Sequence, residues 1–118
     1  MSKEALAEAI EQLKATYGEV STGGPDETLI RINAVSLPKG CTPTSTPVLV
    51  VVQGGQRPQL YVKGGITLTN GRVPRNYSAN QVAGEEWWSF SYSFGWDEST
   101  HTLVQFVEAS LRRFAKAE

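Results

Sequence analysis

Between Pro47 and the paired glycines Gly54 and Gly55 the chain carries five consecutive apolar residues, Val48-Leu49-Val50-Val51-Val52. Four of these are valines, whose stiff χ1 disfavours a helix and suits a pleated strand. The proline before them and the glycines after them mark the ends of the run. It therefore reads as a strand, and it is far too short to cross a bilayer, which takes about 20 apolar residues in a helix. The segment QLYVKGG repeats the pattern in a shorter form, again ending at two glycines. With GGQRP between them, the two runs predict an antiparallel hairpin.

On the N-terminal side, TLIRINAVSL places Leu29, Arg31, Asn33 and Val35 on one parity and Ile30, Ile32 and Ala34 on the other. The second set is the purer apolar face, as expected of a half-buried strand. The following PKGCTPTSTP, with three prolines and one glycine, forbids regular structure. Two amphipathic segments bracket these strands. In SKEALAEAIEQLKATYG, Leu6, Ile10, Leu13 and Tyr17 share one helical face, Ser2 is a plausible N-cap, and Gly18 suits a C-terminal stop. In STHTLVQFVEASLRRFAKAE, Leu103, Phe106, Val107, Leu111 and Phe114 share another, with Ser99 or Thr100 as the expected cap and His101 one turn inside the helix. Residues 66–86 hold an Asn70-Gly71 turn but neither period, and an ordered loop is expected there. The order is helix, three or more strands, long loop, helix, with no repeat or linker to divide the 118 residues into two domains.

Composition excludes several classes of partner. Eleven basic and twelve acidic side chains leave a net charge of -1, so no long-range field draws the protein to nucleic acid or to an anionic membrane. The start MSKEALAEAIEQ has charges where a secretory signal needs an unbroken apolar stretch, so a cytoplasmic location is expected. One cysteine, Cys41, and one histidine, His101, fall short of a disulfide or a thiolate–imidazole metal site, and no cofactor is expected.

Several residues, taken in order, resemble the ubiquitin-conjugating-enzyme superfamily, and within it a bacterial group of small conjugating-enzyme-like proteins. They are Leu37-Pro38-Lys39-Gly40, the Val48 to Val52 strand, Thr69-Asn70-Gly71-Arg72 followed by Pro74, Gly84-Glu85-Glu86-Trp87 leading to Ser89-Phe90-Ser91, and Trp96 entering the last helix through Leu103. The resemblance covers roughly residues 28–115 and implies an α+β fold, a four-stranded antiparallel meander flanked by an N-terminal and a C-terminal helix. It departs from active relatives at the decisive point, because between Tyr61 and Trp87, where their thioester-forming cysteine is expected, there is no Cys and no His. Transfer of a ubiquitin-like protein needs a thiolate to hold its C-terminus. The segment QGGQRP also keeps only Pro58 of the proline-rich stretch that commonly follows the second strand of relatives.

The resemblance therefore points to a catalytically inactive binding or adaptor module, with a ubiquitin-like protein or its activating enzyme as partner, in a bacterial modification or antiphage system. Two alternatives stand beside it: an active enzyme carrying the modifier as a thioester on Cys41, and an aromatic module for single-stranded nucleic acid, which lacks the basic groove such proteins use. In the adjacent Trp87-Trp88 pair, Trp87 is expected to be a core anchor, as is Trp96. Alternation along an extended segment sends Trp88 to the other side, sharing its parity with Phe90, Tyr92 and Phe94. One parity must face the core, and Trp88, Tyr92 and Phe94 are the candidate binding residues.

Overall fold

The computed structural model describes residues 2–24, 28–52, 57–68, 70–74, 76–90, 97 and 100–115. The first helix, α1 (Lys3–Tyr17), begins at the Ser2 cap, whose Oγ accepts from the Ala5 N–H at 3.1 Å, and ends at Gly18 with φ +87°. Leu6, Ile10 and Leu13 are buried and Tyr17 is half-buried, so the predicted face is the packed one. Strands β1 (Val20–Gly23), β2 (Leu29–Ser36), β3 (Ser45–Val51) and β4 (Gln59–Val62) follow, then β5 (Ser78–Val82), β6 (Glu85–Ser89) and the helix α2 (Leu103–Leu111), which continues into a 3-10 turn, Arg112–Ala115. The fold is α+β: six antiparallel strands form one open sheet in the order β1-β2-β3-β4-β6-β5, with one helix before it and one after it.

The predicted hairpin is β3–β4, in which Val48 pairs with Val62 and Val51 with Gln59. In β2, Ile30 and Ile32 are buried as the parity predicts, but Ala34 is exposed and Val35 is buried. A bulge explains the exchange. Ile32 pairs with Val48 and Val35 with Thr46, so β2 spends one residue more than β3 over this interval and its parity reverses.

Two strands lie where the sequence predicts none. Strand β1 forms from Val20–Gly23, ending at the first of the paired glycines Gly23 and Gly24, and lies on the edge of the sheet beside β2. Strand β5 lies within residues 66–86 and closes a hairpin with β6 through Ala83 and Gly84, both at positive φ (51° and 80°), as a two-residue turn that follows strand twist requires. All of Ser78 to Gln81 is exposed, so β5 has no buried face and no apolar alternation to reveal it.

The cap of α2 is Thr102 rather than Ser99 or Thr100. The Thr102 Oγ1 accepts from the Gln105 N–H at 3.1 Å while the Gln105 side chain accepts from the Thr102 N–H at 2.9 Å, a reciprocal capping box. His101 consequently lies outside the helix, where its Nδ1 accepts from the Asp97 N–H at 2.9 Å. The predicted apolar face is buried throughout: Leu103, Phe106, Val107, Leu111 and Phe114. With the buried face of α1 and the residues Ile30, Ile32, Val48, Val50, Leu60 and Val62, it forms the main core on one side of the sheet. A smaller cluster of Leu49, Val51 and Trp87, flanked by Leu29, Tyr61 and Val82, lies on the other side. No helix among the described residues is long and apolar enough to cross a membrane.

Candidate functional site

Strand β6 separates the two tryptophans. Trp87 is 2% exposed, as expected of an anchor, but the cluster it anchors is the one facing away from the helices. Its indole is covered by cations: Lys63 Nζ lies 3.9 Å and Arg31 Cζ 5.4 Å from the ring centroid. Glu85 ties the two together, accepting from Arg31 Nη1 at 3.0 Å and from Lys63 Nζ at 3.1 Å, and Lys63 donates again to the Glu86 carbonyl at 2.9 Å. The hydrogen bond from Lys63, foremost, and the charges of Lys63 and Arg31 hold the Glu85 carboxyl below the usual glutamate range. The lid thus presents two cations and one anion over an apolar floor.

Trp88 faces the helix side, at the rim of the main core, and is half-buried. Its ring packs against Tyr77 at 4.6 Å between centroids, and its Nε1 donates to Glu86 Oε1 at 3.0 Å. It also lies directly over Gly64, where a Cβ would come within 2.7 Å of the indole nitrogen, so only glycine admits the ring there. The Tyr77 hydroxyl donates to the Lys63 carbonyl and accepts from the Ile66 N–H, fixing the chain on either side of that glycine. Trp88 is therefore a held side chain that stays partly exposed. Phe90, which shares its parity, is buried in the main core with its ring 4.5 Å from that of Phe114, so it cannot belong to an exposed aromatic row. Tyr92, Phe94 and Trp96 lie outside the described residues.

Cys41 is 3% exposed, in the connection between β2 and β3 and beneath the end of α2, and its Sγ donates to the Phe114 carbonyl at 3.5 Å. Burial pushes its thiol pKa up, the reverse of what activates a cysteine nucleophile. In this position the side chain acts as a small apolar filler with its proton directed at a carbonyl.

A cavity of about 680 Å³ opens where the C-terminal ends of the two helices meet the end of β2. Thr16, Tyr17, Glu108 and Arg112 form its walls and residues 34–38 its floor. Tyr17 Oη is buried without a hydrogen-bond partner among the described residues, and desolvation, reinforced by Glu108, raises its pKa to about 12. Sequence reasoning missed this cavity, the Trp87 lid and the Tyr77–Gly64 seat. Arg31, on β2, and Lys63, just after β4, could have been noticed as long cations beside aliphatic neighbours, but the cavity depends on where β1 stops. Among the described residues no three His, Cys, Asp or Glu side chains gather as a metal site would require. The chain matches no protein-family model, no curated protein and no solved structure.

Proposed function

We propose that this chain is a non-catalytic, ubiquitin-conjugating-enzyme-like module that docks a ubiquitin-like protein or its activating enzyme within a bacterial modification system, including those that act against phage. The observation that carries the reading is the state of the one thiol. Cys41 is enclosed beneath the end of α2 and held protonated, so a modifier's C-terminus has no accessible sulfur to which it can be joined. Supporting it are the consecutive antiparallel strands β1 to β4 that follow a leading helix; the sheet departs from the four-stranded meander that the resemblance implies by adding β6 and β5 before the closing helix. The exposed part of Trp88 is assigned to the partner, with Tyr92 and Phe94 as further candidates from the sequence alone, since large aromatics supply most hot-spot energy at such contacts.

The test incubates the protein with a ubiquitin-like protein, its activating enzyme and ATP, and follows both complex formation by calorimetry and adducts on non-reducing gels. Binding without a reducible adduct is the expected outcome. A reducible adduct that disappears in Cys41→Ser would establish the chain as a carrier instead. Absence of binding to either protein would remove the reading altogether.

A further inference from the structure

Strand β1 covers only part of β2. Its pairing runs from Gly23 opposite Leu29 to Val20 opposite Ile32, and the last bond on that edge is the Asn33 N–H to the Glu19 carbonyl at 2.9 Å. Strand β2 continues to Ser36 with β3 on its other side only. The Leu37 N–H donates to the Thr44 carbonyl at 2.8 Å, and in the same register Ser36 stands opposite Ser45. Antiparallel pairs alternate between hydrogen-bonded and non-bonded, so the bond at Leu37 turns the N–H and C=O of Ser36 away from β3, toward the edge that β1 has left. No described residue bonds to them there. Ala34 and Ser36 are both exposed.

This open edge is the floor of the 680 Å³ cavity, with Thr16 and Tyr17 on one wall and Glu108, Leu111 and Arg112 on the other. An unpaired edge in the open is a liability that proteins commonly cover. Here it lies in a trough lined by the ends of both helices. We propose that the trough docks an extended peptide segment of a partner protein, which adds to β2 as the missing neighbour of Ser36. Residues 34–38 offer room for a segment of about four or five residues at roughly 3.3 Å each. Among the described residues the wall carries one cation, Arg112, and one anion, Glu108, so these select no net charge and the segment is an uncharged one held chiefly by its backbone. The site is separate from the aromatic surface assigned above and stands or falls independently of it.

The test uses the full chain, ¹⁵N-labelled, titrated to millimolar concentration with an acetylated and amidated Thr-Val-Thr-Val-Thr peptide. Amide shifts at Val35, Ser36 and Leu37 are expected, with slowed solvent exchange of the Ser36 N–H. Ser36→Pro removes that donor at an edge position where proline is tolerated, and should abolish the shifts while thermal unfolding stays cooperative. Should that variant fail to fold, the same peptide N-methylated at its central residues provides the control on the natural chain and should leave the shifts absent. Shifts that persist with the N-methylated peptide, that centre on β5 instead, or that fail to occur would overturn the proposal. So would peptide-free dimerisation through residues 34–37, which would make a second copy the occupant.

Discussion

On the helix side of the sheet, Val48, Val50, Leu60 and Val62 are closed off by the apolar faces of α1 and α2, whereas on the opposite side Leu49, Val51 and Trp87 are closed off by Arg31, Lys63 and Glu85. Both arrangements exclude water from aliphatic surface, but by different physics. A helix layer is held by its own backbone and by many dispersion contacts. The lid is made of side-chain stems that lie along apolar surface while their charged heads stay wet, and a cation over an indole contributes only about 0.5–1 kcal/mol at exposed sites. The helix side should therefore be rigid and costly to perforate, and the lid side adaptable.

Four substitutions would break or sharpen that contrast. Phe106→Ala, in the centre of the helix side, should cost about 3–5 kcal/mol in denaturant unfolding, much of the stability of a domain this size. A loss below about 1 kcal/mol would show that α2 is dispensable. Trp87→Ala should cost less despite the larger ring, about 2–3 kcal/mol, because the stems of Arg31 and Lys63 can settle into the space. If it equals or exceeds the cost of Phe106→Ala, the lid is as rigid as a helix layer. Trp88→Ala should cost about 1–2 kcal/mol, since the ring is only partly enclosed but its seat over Gly64 and against Tyr77 is lost. Equal melting temperatures for this variant and the natural chain would assign the ring to binding alone.

The smallest effect is expected at Glu85. Its folded pKa is depressed, so the stability it supplies is present above its unfolded value, about 4.3, and is lost as the pH falls through the lower folded value. The difference in unfolding midpoint between the natural chain and Glu85→Gln should thus be constant near neutral pH, vanish at strongly acid pH, and shrink in high salt. A carboxyl signal that titrates at or above the ordinary glutamate range in NMR would show that the bridge to Lys63 and Arg31 is not formed in solution.

Elements that bury apolar surface are legible in the sequence: both helices and the strand around Ile30 carry an apolar period, and the strand around Val50, buried on both faces, carries an unbroken apolar run. Strand β5 is not, because an edge strand exposed on both faces is under no such demand. The cap of α2 lies two residues beyond Thr100 because Ser99, Thr100 and Thr102 all have a hydroxyl suited to the role, and only the reciprocal bond with Gln105 selects among them. The candidate site is the least legible part. Alternation correctly sends Trp87 and Trp88 to opposite faces, but which face lies beneath the helices depends on contacts between segments far apart in sequence.

By itself, then, the sequence determined the two amphipathic helices, the β3–β4 hairpin, the burial of Trp87, and the absence of any thiol besides Cys41. These follow from local periodicity, turn chemistry and composition. Tertiary structure alone decided that Cys41 would be enclosed under the Phe114 carbonyl, that Arg31 and Lys63 would meet over Trp87 through a carboxylate 54 residues from the first of them, and that β1 would end short of Ser36. Each of these depends on register and on the closing of long loops, and the bulge between Ile32 and Val35 shows how one extra residue reassigns every side chain beyond it.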